Sequence, residues 1–140
     1  MVGDEVPVFF YGGLINSKMQ EKVGLVATDA THMLLHGYAL TFEPYVNLRP
    51  SPSDHVHGLV MNVSHAMLET VYGHLAVKYY PYPVICTTLD GAMRPALCYL
   101  APHMEFGPLD NVHIENLAEA AELCGFPSDY VAKVRSFLSS

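Results

Sequence analysis

The sequence predicts an α+β fold in which strands dominate, forming a mixed or antiparallel sheet, open or curled into a barrel, with helices at its periphery. Three observations carry this. An apolar run, residues 6–11, breaks into the paired glycines Gly12 and Gly13. Asp90-Gly91 sits between two runs of strand composition, residues 84–89 and 94–100. The tail reads as two helices divided by Gly125 and Pro127. Helices do not alternate regularly with the strands, which argues against a doubly wound sheet.

Each element follows from local chemistry. Residues 6–11 are continuously apolar, as a buried strand requires, and residues 17–26 follow as a short helix capped by Asn16 or Ser17. The glycine turn therefore joins a strand to a helix. Residues 33–42 read as a strand with Gly37 marking a bulge or close approach. Pro44, Pro50 and Pro52 make residues 43–54 a surface loop, after which residues 55–63 return as a strand. Ser64 is placed to cap a helix whose apolar positions Met67, Leu68, Val71 and Leu75 recur at helical spacing, with Gly73 near its end. Prolines 81 and 83 keep the following segment extended. It enters a hairpin at Asp90-Gly91, a pair that favours a type I′ turn. Residues 112–124 form a helix closed by Gly125, and Ser128 is expected to cap a last helix ending at Phe137.

A chain of 140 residues fits one domain, here residues 1–140, able to bury a core without staples. Hydrophobic residues make up 51% and charged residues 15%, a balance that excludes disorder. Seven Lys and Arg against fourteen Asp and Glu give a formal charge of −7 with no basic cluster, so nucleic acid is not an expected partner. No apolar run approaches the roughly 18 residues of a membrane span. Asp4 and Glu5 before the first strand lack the basic flank of a signal peptide, and a cytoplasmic location is expected. Cys86, Cys98 and Cys124 are odd in number and widely spaced, which reads as buried thiols.

Few residues carry chemical signals. The Tyr11-Gly12-Gly13-Leu14-Ile15 turn follows a strand with backbone N–H groups that no side chain crowds, a geometry suited to an anionic or carbonyl oxygen; an ordinary tight turn has the same composition. His55 and His57 alternate on a strand and share a face, but no third ligand has readable spacing, and no metal site is expected. Arg49 and Arg94 are expected at the surface. Tyr79, Tyr80 and Tyr82 form an aromatic cluster after the central helix.

The order of these pieces resembles the γ-glutamylcyclotransferase-like family, which includes the plant AIG2-like proteins. The resemblance rests on the Tyr-Gly-x-Leu turn, the segment Pro50-Ser-Pro-Ser-Asp-His-Val-His-Gly-Leu-Val60, the helix end Leu68-Glu-x-x-x-Gly73, the strand ending in Cys98-Tyr99-Leu100, and the helical tail with Gly125, Pro127 and Tyr130. It spans residues 6–138 and implies a small mixed β-barrel flanked by helices, with a pocket beside the glycine turn. It also implies a small-molecule substrate, no cofactor, and a monomer or homodimer. The family's enzymes cyclise a γ-glutamyl group: the substrate's α-amine attacks its γ-carbonyl, an amine leaves, and 5-oxoproline forms. Tyr11, Gly12, Gly13, Leu14 and Ile15 match the oxygen-binding loop, with Gly13 in place of the usual hydroxyl residue, and Tyr80 matches a pocket-lining tyrosine.

The proton-handling glutamate is the point of departure. Laying the family's Leu-Asp-x-x-Glu-Gly motif on Leu68-Glu69-Thr70-Val71-Tyr72-Gly73 puts Tyr72 at the glutamate's position. A glutamate of ordinary pKa about 4.3 is readily raised into the neutral range, whereas a phenol at about 10 lies roughly 4 kcal/mol from its ionised form at pH 7. Tyr72 is thus a poor base but a good hydrogen-bond donor. Glu69, one turn earlier on the same face, is the nearest alternative carboxylate, and Glu43 and Glu105 fall in loops. The expected function is therefore binding of a small polar metabolite at the glycine turn, with cyclisation dependent on Tyr72 or Glu69. The alternatives are a non-catalytic binding module of this fold and a small decarboxylase. The stretch from Leu68 to Gly91 also resembles the C-terminal domain of allophanate hydrolases, where a histidine serves.

Overall fold

The computed structural model describes residues 5–25, 29–43, 45–73, 78–104 and 107–138. Asp4, Val26, Pro44, Leu75 and Glu105, named above, lie outside the described residues. The five described strands are β1 (Glu5–Phe10), β2 (Thr31–Phe42), β3 (Val46–Ser64), β4 (Tyr80–Thr88) and β5 (Met93–Leu100). They close into a barrel in the order β1-β3-β2-β4-β5. Pairing is antiparallel throughout except where β1 meets β5 in parallel at Val8↔Leu97 and Phe9↔Cys98, so the barrel is mixed, as expected.

Burial explains the composition of β1. Val8, Phe9 and Phe10 are all buried, because one face fills the barrel while the other is covered by helices. Helices α1 (Ser17–Val23), α2 (His65–Tyr72), α3 (Asn111–Leu123) and α4 (Ser128–Arg135) surround the sheet. The Asn16 side chain caps α1 by accepting from the amides of Lys18 and Met19, and Ser64 caps α2 through Met67. Asp110 caps α3, whose Ile114, Leu117, Ala118 and Ala121 face the core, and Gly125 follows it at φ 80°. Ser128 is not a cap: Pro127 occupies that position without a side-chain bond, and Ser128 is already helical.

Two expectations are corrected. Residues 43–54 are not a surface loop, because β3 begins at Val46 and pairs with β2 from Phe42↔Val46 to Tyr38↔Pro50, then again from His36↔His55. Only residues 51–54 leave the ladder, as a short excursion opposite the single residue Gly37, which sits at φ 88°. The prolines are absorbed there because Pro52 lies in the excursion and Pro50 at its border, where a missing N–H costs little. The β4–β5 hairpin is not a type I′ turn. That turn needs positive φ at both central residues, and among the described residues only glycines have it. Instead Gly91 N donates to Thr88 O at 3.0 Å and Thr88 N to Ala92 O at 2.8 Å, a three-residue loop with Gly91 left-handed at φ 96°.

Cys86 and Cys98 are fully buried, and Cys124 is only partly so, its thiol 3.4 Å from Ile15 O. Gly58 marks the tightest approach in the barrel wall: a β-carbon there would lie 2.4 Å from Phe10 O and 2.6 Å from the Phe9 ring. Gly13, by contrast, has nothing within 4 Å of such a carbon. Gly58→Ala should therefore lower the urea midpoint by an amount corresponding to about 1–3 kcal/mol, while Gly13→Ala leaves it nearly unchanged.

Candidate functional site

The strand β1 delivers the chain to the barrel mouth at Tyr11. Its ring is buried, and its hydroxyl donates to Tyr99 O at 2.6 Å, tying the glycine turn to the end of β5. The chain then makes a 3-10 turn, Gly13–Ile15, whose hydrogen bonds run from Ile15 N to Gly12 O and from Asn16 N to Gly13 O. The amides of Gly13 and Leu14 stand outside these two bonds, as the first amides of a helical turn must. Leu14 and Ile15 bury their side chains, so the turn presents backbone. Gly12 has a packing reason of its own, since a β-carbon there would lie 2.8 Å from Val46 Cγ1.

Val46 also accepts a 2.6 Å hydrogen bond from the Tyr79 hydroxyl, which brings Tyr79 to the same mouth. The Tyr72 ring, the last residue of α2, stacks on Tyr99 at 4.1 Å and 5° and lies 5.9 Å from Tyr79. Tyr11, Tyr72, Tyr79 and Tyr99 thus form one aromatic group. Tyr80, the tyrosine expected from sequence at this place, is 45% exposed, and its neighbour Tyr79 joins the group instead. Tyr79 stands just before the first residue of β4, where no local pattern separates it from Tyr80.

The electrostatics make this group a set of donors. Burial pushes the Tyr72 and Tyr11 phenols well above the ordinary range, reinforced in both by Cys98 and Tyr79. Tyr79 is raised to about 12, chiefly by burial, with Tyr45 and Glu43 adding to it. All remain O–H at neutral pH. The hydroxyls of Tyr11 and Tyr79 are committed to backbone carbonyls. That of Tyr72 has no partner among the described residues, and since no sealed side-chain oxygen is left unpaired among them, it is not wholly closed off.

The carboxylates divide clearly. Glu69 is exposed on α2, and its Oε1 lies 2.6 Å from where a Gly73 β-carbon would stand, which fixes its side chain over the helix end. It is close enough to help raise the Tyr99 phenol, although burial contributes more. Glu43 is buried at 6% exposure, accepts from Arg49 at 2.5 and 2.9 Å and from Thr41 at 2.6 Å, and is held below the usual carboxylate range, first by Arg49. A carboxylate so engaged is no base. Arg49 lies at the surface, as expected from sequence, with its side chain 40% exposed, and there it clamps Glu43.

His55 and His57 do share a face, and β2 contributes His32 and His36 to it. His36 stands directly opposite His55, with ring centroids 5.6 Å apart, and His32 Nε2 lies 2.8 Å from His57 Nδ1. His57 is pushed down to about 4 by burial, with His32 and His55 adding to the effect. This group faces Phe126 and Tyr130 rather than the tyrosines of the mouth. Among the described residues no three His, Cys, Asp or Glu are placed to hold a metal ion.

Neither a family model nor a curated protein matches the sequence. Solved structures do share its fold. A γ-glutamyl cyclotransferase superposes with TM-score 0.79 at 18% identity, over 97% of this chain and 89% of the other. An uncharacterised protein from Homo sapiens gives 0.79 at 17%, over 98% and 90%. An AIG2-like protein from Mus musculus gives 0.54 at 19%, over 76% and 86%. The fold expected from the sequence, the γ-glutamylcyclotransferase-like barrel, is therefore the fold observed.

Two measurements check this description. Tyr11→Phe leaves the Tyr99 carbonyl without its donor and should cost about 1–3 kcal/mol in urea unfolding. The lowered His57 pKa means the unfolded chain binds that proton first on acidification. The stability it contributes is complete above about pH 6.5 and is lost as pH falls toward 4, so the urea midpoint should decline over that interval, and less steeply in His57→Gln.

Proposed function

We propose that this chain binds a small γ-glutamyl-type metabolite at the mouth formed by the Tyr11–Gly13 turn, Tyr72, Tyr79 and Tyr99. The observation that carries the reading is the Tyr11–Tyr99–Tyr72 connection: a 2.6 Å hydrogen bond and a 4.1 Å ring stack link Tyr72, the residue that the sequence resemblance aligns with the family's glutamate, to the glycine turn. The shared fold with a γ-glutamyl cyclotransferase supports the substrate class.

In this reading the Gly13 and Leu14 amides and the Tyr72 hydroxyl receive ligand oxygens. Cyclisation requires the α-ammonium to lose a proton before its nitrogen attacks the γ-carbonyl, and the leaving nitrogen to gain one. Tyr72 cannot take that proton, since its phenol is held above the ordinary range. Glu43 is occupied by Arg49. Glu69 is the carboxylate left near the mouth among the described residues, and proton handling falls to it. The protein is then foremost a binder, with slow turnover. The decarboxylase reading has less support, because the clustered histidines face the C-terminal helices.

A panel of γ-glutamyl amines and dipeptides, with binding followed by calorimetry and 5-oxoproline by chromatography, tests this. Wild type should bind a member of the panel, and Tyr72→Phe should weaken that binding about tenfold, the effect of one lost hydrogen bond in a buried site. Any 5-oxoproline formed by wild type should disappear in Glu69→Gln, and Tyr72→Glu should form it faster. No binding by a folded wild type sinks the substrate class. Rapid turnover insensitive to both positions sinks the assigned roles.

A further inference from the structure

Between the excursion of β3 and α4 lies a cleft of about 170 Å³ that the mouth does not use. His57 lines it while only 6% exposed. Its Nδ1 is engaged by His32 Nε2 at 2.8 Å, and its Nε2 has no partner among the described residues. No sealed side-chain nitrogen is left unpaired among the described residues, so Nε2 is not closed off, and the cleft is the open space that His57 lines.

The charges around it select the occupant. Lys133 is matched by Asp54 at 3.2 Å. Asp129 is paired with no cation among the described residues and accepts only from Tyr130 N at 2.9 Å. Asp129, exposed in the first turn of α4, is thus the carboxylate of this cleft without a cation partner among the described residues, and it lines the same space as Tyr130 and His57. A cleft of about 170 Å³ admits only a small ligand.

We propose that this cleft is a second binding site, for a small primary ammonium ligand, held by the Asp129 carboxylate and by the lone pair on His57 Nε2. The hydrogen bond between the two imidazoles needs one N–H and one lone pair. Ligand binding puts that proton on His57 Nδ1, donating to His32, and leaves Nε2 bare to accept from the ammonium. The two histidines are thereby a tautomer selector. His55 also lines the cleft and is His57's neighbour, so protonation of any of these rings opposes a cationic ligand, and binding weakens toward acid pH.

Ethylammonium chloride titrated into the ¹⁵N-labelled protein at pH 7.5 and constant ionic strength tests this, read by long-range ¹H–¹⁵N correlations of the imidazoles. The His57 Nε2 resonance should move saturably toward the unprotonated position. Asp129→Asn should weaken the affinity about tenfold, as expected for one charge-assisted hydrogen bond, and Lys133→Met, which frees Asp54, should strengthen it. Both substitutions lie at the surface and leave the core intact. The proposal is overturned if no saturable shift occurs, if sodium acetate produces an equal or larger one, or if Asp129→Asn binds as tightly as wild type.

Discussion

Barrel closure at the mouth depends on Asn47. The β1–β5 seam that completes the ring has only two residue pairs, Val8↔Leu97 and Phe9↔Cys98, so backbone pairing holds that edge of β5 weakly, although β4 pairs with its other edge as far as Leu100. Asn47, fully buried on β3, donates from Nδ2 to Ala101 O at 2.8 Å and accepts from Ala101 N at 3.0 Å. One side-chain amide thereby reproduces both hydrogen bonds of a strand neighbour, just past the last residue of β5. A buried amide is tolerable only when both its groups are satisfied, which makes this contact demanding and specific. Tyr11 on Tyr99 and Tyr79 on Val46 repeat the device, each phenol reaching a carbonyl that the ladder does not use.

Much of this was legible in the sequence where local rules decide. Residues 6–10 are apolar without alternation because both faces of β1 are covered, and Asn16, Ser64 and Gly125 punctuate helices by their own side-chain or backbone chemistry. What was not legible depends on partners far along the chain. Pro50 and Pro52 signal a loop until β2 is seen to lend Gly37 as the single residue across from the excursion. Glu43 and Arg49 look like independent surface charges because nothing local shows that the bend after Phe42 brings them together. Tyr79 and Tyr80 are adjacent and chemically identical, and no local pattern separates them. His32 and His36 join His55 and His57 through a pairing register that spacing alone does not reveal.

The mouth is rich in donors and poor in bases. Four rings with raised or committed phenols surround the glycine turn, and the one buried acid nearby, Glu43, is neutralised by Arg49. Such a surface favours the oxygen-bearing parts of a ligand over its ammonium. The imidazole cleft has the opposite character, with the Asp129 carboxylate, paired with no cation among the described residues, lining the same space as a ring that burial keeps neutral. The two places on this barrel thus contrast in polarity.

The excursion at residues 51–54 divides β3 into two ladders that do not share a register. In an uninterrupted strand, inserting or deleting one residue turns every following side chain to the wrong face. Here the slack is confined to four residues opposite one glycine, so a change of length is absorbed before His55 and leaves Asn47 and Val56 facing as they do. The longest strand of the barrel therefore carries its own point of evolutionary elasticity, where a descendant chain can gain or lose residues, or accept an inserted segment, at the rim of the imidazole cleft without refolding the wall.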